Sequence, residues 1–157
     1  MDLLRVQNTY AAAATVLDAQ IGRLVDSLEQ TNLLNQVYLC ITATRGLPLG
    51  EHGLLGFSRP MVHEELAHVP LVVRPPGGNL HGLRVMSFTQ PADVGATCLD
   101  YFGLADPSTR NRSLRPALEG TDGLLRSHAV SGWRHAEGAA WALRTPAWTF
   151  LQDSTAA

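Results

Sequence analysis

The chain has 157 residues, 45% of them hydrophobic and 17% charged, which suits one globular domain with a sizeable core and excludes both a disordered tail and two independent domains. Twelve Lys and Arg against fourteen Asp and Glu leave a net charge of -2 with no basic run, which excludes a nucleic-acid surface. No apolar stretch approaches the ~18 residues of a membrane span, and Met1 to Tyr10 is too polar for a secretory signal.

Tyr10 to Gln30 predicts an amphipathic helix. Ala14, Leu17, Ile21, Leu24 and Leu28 recur at spacings of three and four, with Asp18, Arg23, Asp26 and Glu29 mainly on the other side. Thr31 and Asn32 end the pattern. Val37 to Thr42, "VYLCIT", is short and almost continuously apolar, as a strand covered on both faces would be, and this favours a parallel sheet. Val69 to Arg74, "VPLVVR", is a second strand, closed by Pro75, Pro76, Gly77 and Gly78. Between them runs a glycine-rich loop, Gly46 to Leu66, ending in the helical-looking "HEELAH".

Asp93 is placed to cap a helix with Val94, Thr97, Cys98, Tyr101 and Phe102 on its apolar side, and Gly103 to stop it. Asp106 to Gly123 reads as irregular, anchored by Leu114 and Leu118. The tail alternates and is rich in Val, Trp and Phe; "SHAVSGW" and "AAWALRTPAWTFLQD", with a turn at Thr145-Pro146, predict antiparallel strands. The expected fold is α/β: a partial parallel sheet with flanking helices and a small C-terminal antiparallel hairpin. It forms a single domain over 1–157, with an α/β part at 1–105 and a C-terminal subdomain at 106–157.

Few residues offer chemistry. His63 and His68 of "HEELAH" lie five apart, about 140° around a helix at ~100° per residue, and cannot share a metal as an HExxH pair does. Glu64 and Glu65 suit the first turn of a helix, and one of them can orient a loop side chain. "GEHG", Gly50 to Gly53, reads either as a substrate contact or as a tight turn whose polar side chains bind loop backbone; the turn is favoured. Cys40 and Cys98, far apart and without CxxC spacing, read as two buried thiols. No serine lies in a GxSxG elbow, His128 and His135 carry no partner pattern, and the "NRS" sequon at Asn111 to Ser113 decides nothing.

Five segments in this order carry a resemblance: "YAAAATVLDAQIGRLVDSLEQTNLLNQVYLCITATRG", "LGEHGLLG", "HEELAHVPLVVRPPGG", "TQPADVGATCLDYFGL" and "WALRTPAWTFL". Together they resemble the C-terminal portion of the sulfatase family, within the alkaline-phosphatase-like superfamily. The resemblance implies an alkaline-phosphatase-like fold and hydrolysis of sulfuric esters. It also implies a formylglycine nucleophile made in a C/S-x-P-x-R motif, and a divalent cation, usually calcium, held partly by the Asp and His or Asn of a "TSDHG" strand end. A Lys after the GEHG loop faces the sulfate.

The chain departs from that pattern wherever it can be compared. Cys40 is followed four residues on by Thr44 and Cys98 by Phe102, while Ser58-Arg59-Pro60 leads to Val62, so no nucleophile motif is present. Aligned on "TSDHG", "TATRG" places Thr44 at the metal-binding Asp and Arg45 at the His or Asn, and Phe57 falls at the Lys. A lone hydroxyl is a poor calcium ligand and a guanidinium is none. No catalytic residue, no metal site and no cofactor are therefore expected in this chain. Arg45, with His52 beside it, is a candidate anion site; the plainer alternative is an ion pair from Arg45 to Glu51, Glu64 or Glu65. The chain is expected to be inactive alone, with the N-terminal part of the sulfatase fold as its partner. The alternative is a non-catalytic domain that binds anions or a partner chain through the Arg45 loop.

Overall fold

The computed structural model, described over residues 2–56, 61–77, 82–120, 125–135 and 138–153, opens with one long helix, α1, Leu3–Gln30. It starts before the expected Tyr10 because Asp2 caps it, Oδ1 accepting from the Leu4 N–H at 3.2 Å. Thr31 ends it as foreseen, followed by Asn32 in the left-handed region at φ 56°. The apolar stripe is present but largely uncovered. No residue of α1 is buried, and Leu4, Val16 and Leu17 are each more than 60% exposed.

β1, Leu39–Thr42, pairs antiparallel with β2, Leu71–Arg74, in the register Leu39↔Arg74 to Thr42↔Leu71. The α/β character is as expected, but the predicted parallel direction is corrected for this pair. A parallel pair needs a crossover of a dozen or more residues, usually a helix on the sheet face. Among the described residues the link carries only a 3-10 turn, Glu51–Gly53, and the one-turn helix α2, Glu64–Ala67. Both strands are also only partly covered, so their apolar run does not mean burial on two faces. Arg74, at the end of β2, donates to the Leu34 carbonyl and to Asn35 Oδ1 (2.8 Å), fixing the approach to β1.

α3, Pro91–Tyr101, has Gln90 rather than Asp93 as its N-cap. Asp93 sits one turn inside and reaches back, its Oδ2 accepting from the Gln90 N–H at 2.9 Å. Gly103, at φ 69°, stops the helix as expected, whereas Phe102 is 75% exposed and not part of an apolar contact face.

The inner face of α3 is polar. Asp93 and Thr97 are both fully buried. Thr97 Oγ1 donates to the Asp93 carbonyl (2.6 Å) and accepts from the Leu114 N–H (2.8 Å). Asp93 Oδ1 accepts from the Arg112 N–H at 2.9 Å, and Arg126 grips both carboxylate oxygens at 2.8 and 2.5 Å. These bonds lay residues 112–120 and 125–126 across the helix. That region includes a one-turn helix, α4, Arg115–Leu118, within the stretch predicted as irregular. Leu114, Ala117 and Leu125 form a buried cluster against Leu71 and Leu118, so the two leucine anchors are where the sequence put them.

The chain closes in a three-stranded antiparallel sheet, β3 Ala129–His135, β4 Gly138–Arg144 and β5 Thr149–Asp153. Ala140 and Ala142 of β4 are small enough for Val62 to pack on them, flanked by Trp133 and Leu151. On the opposite face Trp141 lies over Gly132; a Cβ there would come within 2.3 Å of the indole.

The accessible surface is 11084 Å². A compact monomer of 17.0 kDa exposes about 7,700 Å². The chain thus exposes roughly 3,400 Å² more than that.

Burial alone would push the Asp93 carboxyl up, but the Arg126 guanidinium and the Arg112 and Gln90 N–H groups outweigh it and hold it below the usual carboxylate range. A depressed folded value means that the stabilisation is present above the unfolded value of ~3.9 and is lost as pH falls through the folded one. Asp93→Ala leaves the largely covered Arg126 without its partner and is expected to cost about 3 kcal/mol in urea denaturation at pH 7. The gap between variant and parent is expected to shrink as the pH is taken below 4.

Candidate functional site at the end of strand β1

Where β1 ends, the chain enters Ala43 to Gly46, with Thr44 and Arg45 both exposed. The loop is held by close backbone contact. Gly46 N–H donates to the Leu66 carbonyl at 2.9 Å, and a Cβ on Gly46 would fall 1.7 Å from the Glu65 carbonyl oxygen. Glycine is required because α2 lies directly against it.

The GEHG segment is a tight turn. Gly50, His52 and Gly53 have φ of 119°, 52° and 70°, and a Leu49↔Leu55 bridge closes its base. Glu51 folds onto its own turn, Oε2 accepting from the Leu49 N–H at 2.6 Å. Backbone hydrogen bonds at Glu51 and Leu49 hold its carboxyl below the ordinary range. The backbone-binding reading is therefore right for Glu51, which is tied to Leu49. α1 braces the turn from outside, with Gln7 donating to the Leu49 carbonyl at 2.8 Å.

His52 faces away from that turn. Its ring stacks on His63, centroids 3.7 Å apart and planes 13° from parallel, and its Nε2 lies 3.7 Å from Glu65 Oε1. That glutamate oxygen is buried and has no hydrogen-bond partner among the described residues. Of the two glutamates, Glu65 is the one that lies near a loop side chain. Glu64 is committed elsewhere, to His68 Nδ1 at 2.8 Å and to Arg144 on β4. His63 and His68 do not converge, as their spacing implied. The His52–His63 stack was not legible in the sequence, because no periodicity relates a loop histidine to the residue that caps α2.

Calcium requires several hard oxygen donors. At the strand end the two side chains offered are one hydroxyl and one guanidinium, and that set does not fit the ion. Among the described residues no three His, Cys, Asp or Glu side chains group into a possible metal site. Phe57 and Ser58 to Pro60 lie outside the described residues.

Residues 4–104 match the sequence model of the Sulfatase family. The chain belongs to the sulfatase family. It is 33% identical over 111 residues to the N-acetylglucosamine-6-O-sulfatase of Bacteroides thetaiotaomicron, a match covering 70% of this chain and 20% of that protein. It is 27% identical over 124 residues to human iduronate 2-sulfatase, covering 76% and 22%. It is also 29% identical over 119 residues to the multifunctional alkaline phosphatase superfamily protein PehA of Trinickia caryophylli, covering 74% and 23%. The sulfatase family implies the alkaline-phosphatase-like fold. This chain spans about a fifth of the length of these curated relatives.

If Gly46 sets the distance between the strand end and α2, Gly46→Ala must push the two apart. Overpacking of this kind is expected to cost about 2 kcal/mol, read as a lower urea midpoint with an unchanged m-value.

Proposed function

We propose that this chain is the C-terminal portion of a sulfatase-type fold whose whole activity is hydrolysis of sulfuric esters, and that the chain alone does not perform it. The observation that carries the reading is the strand end itself. Thr44 and Arg45 stand where the family's "TSDHG" supplies cation ligands, and a fixed positive charge there opposes a bound cation by direct repulsion. The uncovered stripe of α1 supports the structural half of the reading. A 28-residue helix with no buried residue gains little from packing, and the rest of a sulfatase fold is the surface its leucines suit.

A second reading rests on His52. Half of its side chain is exposed, and it stands on a turn beside the Arg45 loop, as the donors of an oxyanion site would. In that reading Arg45 and His52 bind a sulfate or phosphate group without turning it over, the guanidinium supplying two parallel N–H donors.

The purified chain, supplied with calcium and 4-nitrophenyl sulfate, is expected to release no nitrophenol above the buffer rate. Calcium-dependent release that disappears on chelation would sink the first reading. For the second, amide spectra recorded during a sulfate titration are expected to move at Gly46 and Gly53 in the parent and to stay still in Arg45→Ala. Unmoved parent spectra at tens of millimolar sulfate, on the order of the weakest useful affinities, would remove it.

A further inference from the structure

The sequence separates Cys40 from Cys98, and the fold brings them to one place. Tyr38 leads into β1 and Cys40 follows two residues on, so both point to the same side of the strand. Cys98 and Tyr101 lie three apart on α3 and share a face of that helix. The two faces meet through the tyrosines, whose ring centroids are 5.0 Å apart at 40°. Each thiol is therefore one step behind a tyrosine that touches its counterpart.

Both thiols are reduced and only partly buried, which corrects the reading of two separate buried cysteines. The Tyr38 hydroxyl in the same cluster is buried and finds no hydrogen-bond partner among the described residues. Burial, and after it Cys40 and Cys98, push the Tyr38 hydroxyl far above its ordinary value; burial and then Cys98 push the Cys40 thiol up. A thiol whose pKa is raised rests protonated, so Cys40 is a neutral thiol.

We propose that Cys40 and Cys98 form a redox-sensitive pair that a disulfide oxidant such as oxidised glutathione closes into one bond, tying β1 to α3. One cysteine loses its proton and attacks a glutathione sulfur, breaking the glutathione disulfide and releasing one glutathione thiol. The second cysteine, deprotonated in turn, attacks the protein sulfur of the mixed disulfide and displaces the other glutathione. Two protons and two electrons leave the protein, and two glutathione thiols form. A disulfide needs its two Cα atoms within about 7 Å, so closure fixes α3 against β1. No other part of the sulfatase reading uses either thiol.

The test is mass spectrometry of the whole chain after exposure to excess oxidised glutathione at pH 8. The expected product is a monomer lighter by about 2 Da, two hydrogens, whose tryptic map joins the Cys40 and Cys98 peptides. Cys98→Ser treated alike is expected to keep a single glutathione on Cys40 and to form no internal link. Two free thiols after treatment, a glutathione retained on each cysteine of the parent, or a disulfide between two chains would each overturn the pairing.

Discussion

A single carboxylate organises the middle of this molecule. Asp93 has no exposed surface, and its two oxygens take an N–H from Gln90, an N–H from Arg112 and two N–H groups from Arg126. Charge taken out of water is costly, and the pair returns that cost only because nearly every lone pair is matched. Truncating either side would leave an unmatched ion, which makes the arrangement decisive for geometry whatever its net contribution. The same residue begins α3, orients the chain at Arg112 and positions Arg126. The leucine cluster of Leu114, Ala117 and Leu125 then closes over residues already held in place.

How much of this was written in the sequence follows from the range of the interactions. The long helix, the strand at Leu39–Thr42 and the glycine stop at Gly103 are local matters of spacing and propensity, and they read correctly. Strand direction is not local. "VYLCIT" is apolar enough for a doubly covered parallel strand, yet it is half-covered and pairs backwards, because the described residues between β1 and β2 form no crossover helix. Asp93 was read as a cap since only its near neighbours were visible; Arg126 lies thirty-three residues on. The candidate site divided in the same way. Glu51 on its own turn was foreseeable, whereas the His52–His63 stack and the Tyr38–Tyr101 contact each join segments that no periodic pattern connects.

The bracing around the GEHG turn is complete with Thr44 and Arg45 at the strand end. Gly46 still accepts the backbone of α2 at a separation no Cβ allows, Gln7 still holds Leu49, and Glu64 still reaches β4 through Arg144. Such contacts position a strand end regardless of what that end carries. A scaffold and its chemistry are separable, and function has to be argued from the side chains at the site. Here those are a hydroxyl and a guanidinium.

Charge decides what such a site can do. A bound divalent cation draws anionic oxygens to itself and polarises them; a guanidinium draws the same oxygens with one positive charge and fixed N–H directions, but lowers the pKa of no water and activates no nucleophile. A strand end that carries Thr44 and Arg45 therefore offers a hydroxyl and a guanidinium, groups that suit an anion's oxygens better than a divalent cation. Glu65 keeps one oxygen buried, 3.7 Å from Nε2 of the half-exposed His52. What this strand end offers is the pair Thr44 and Arg45, on a loop that Gly46 holds against α2.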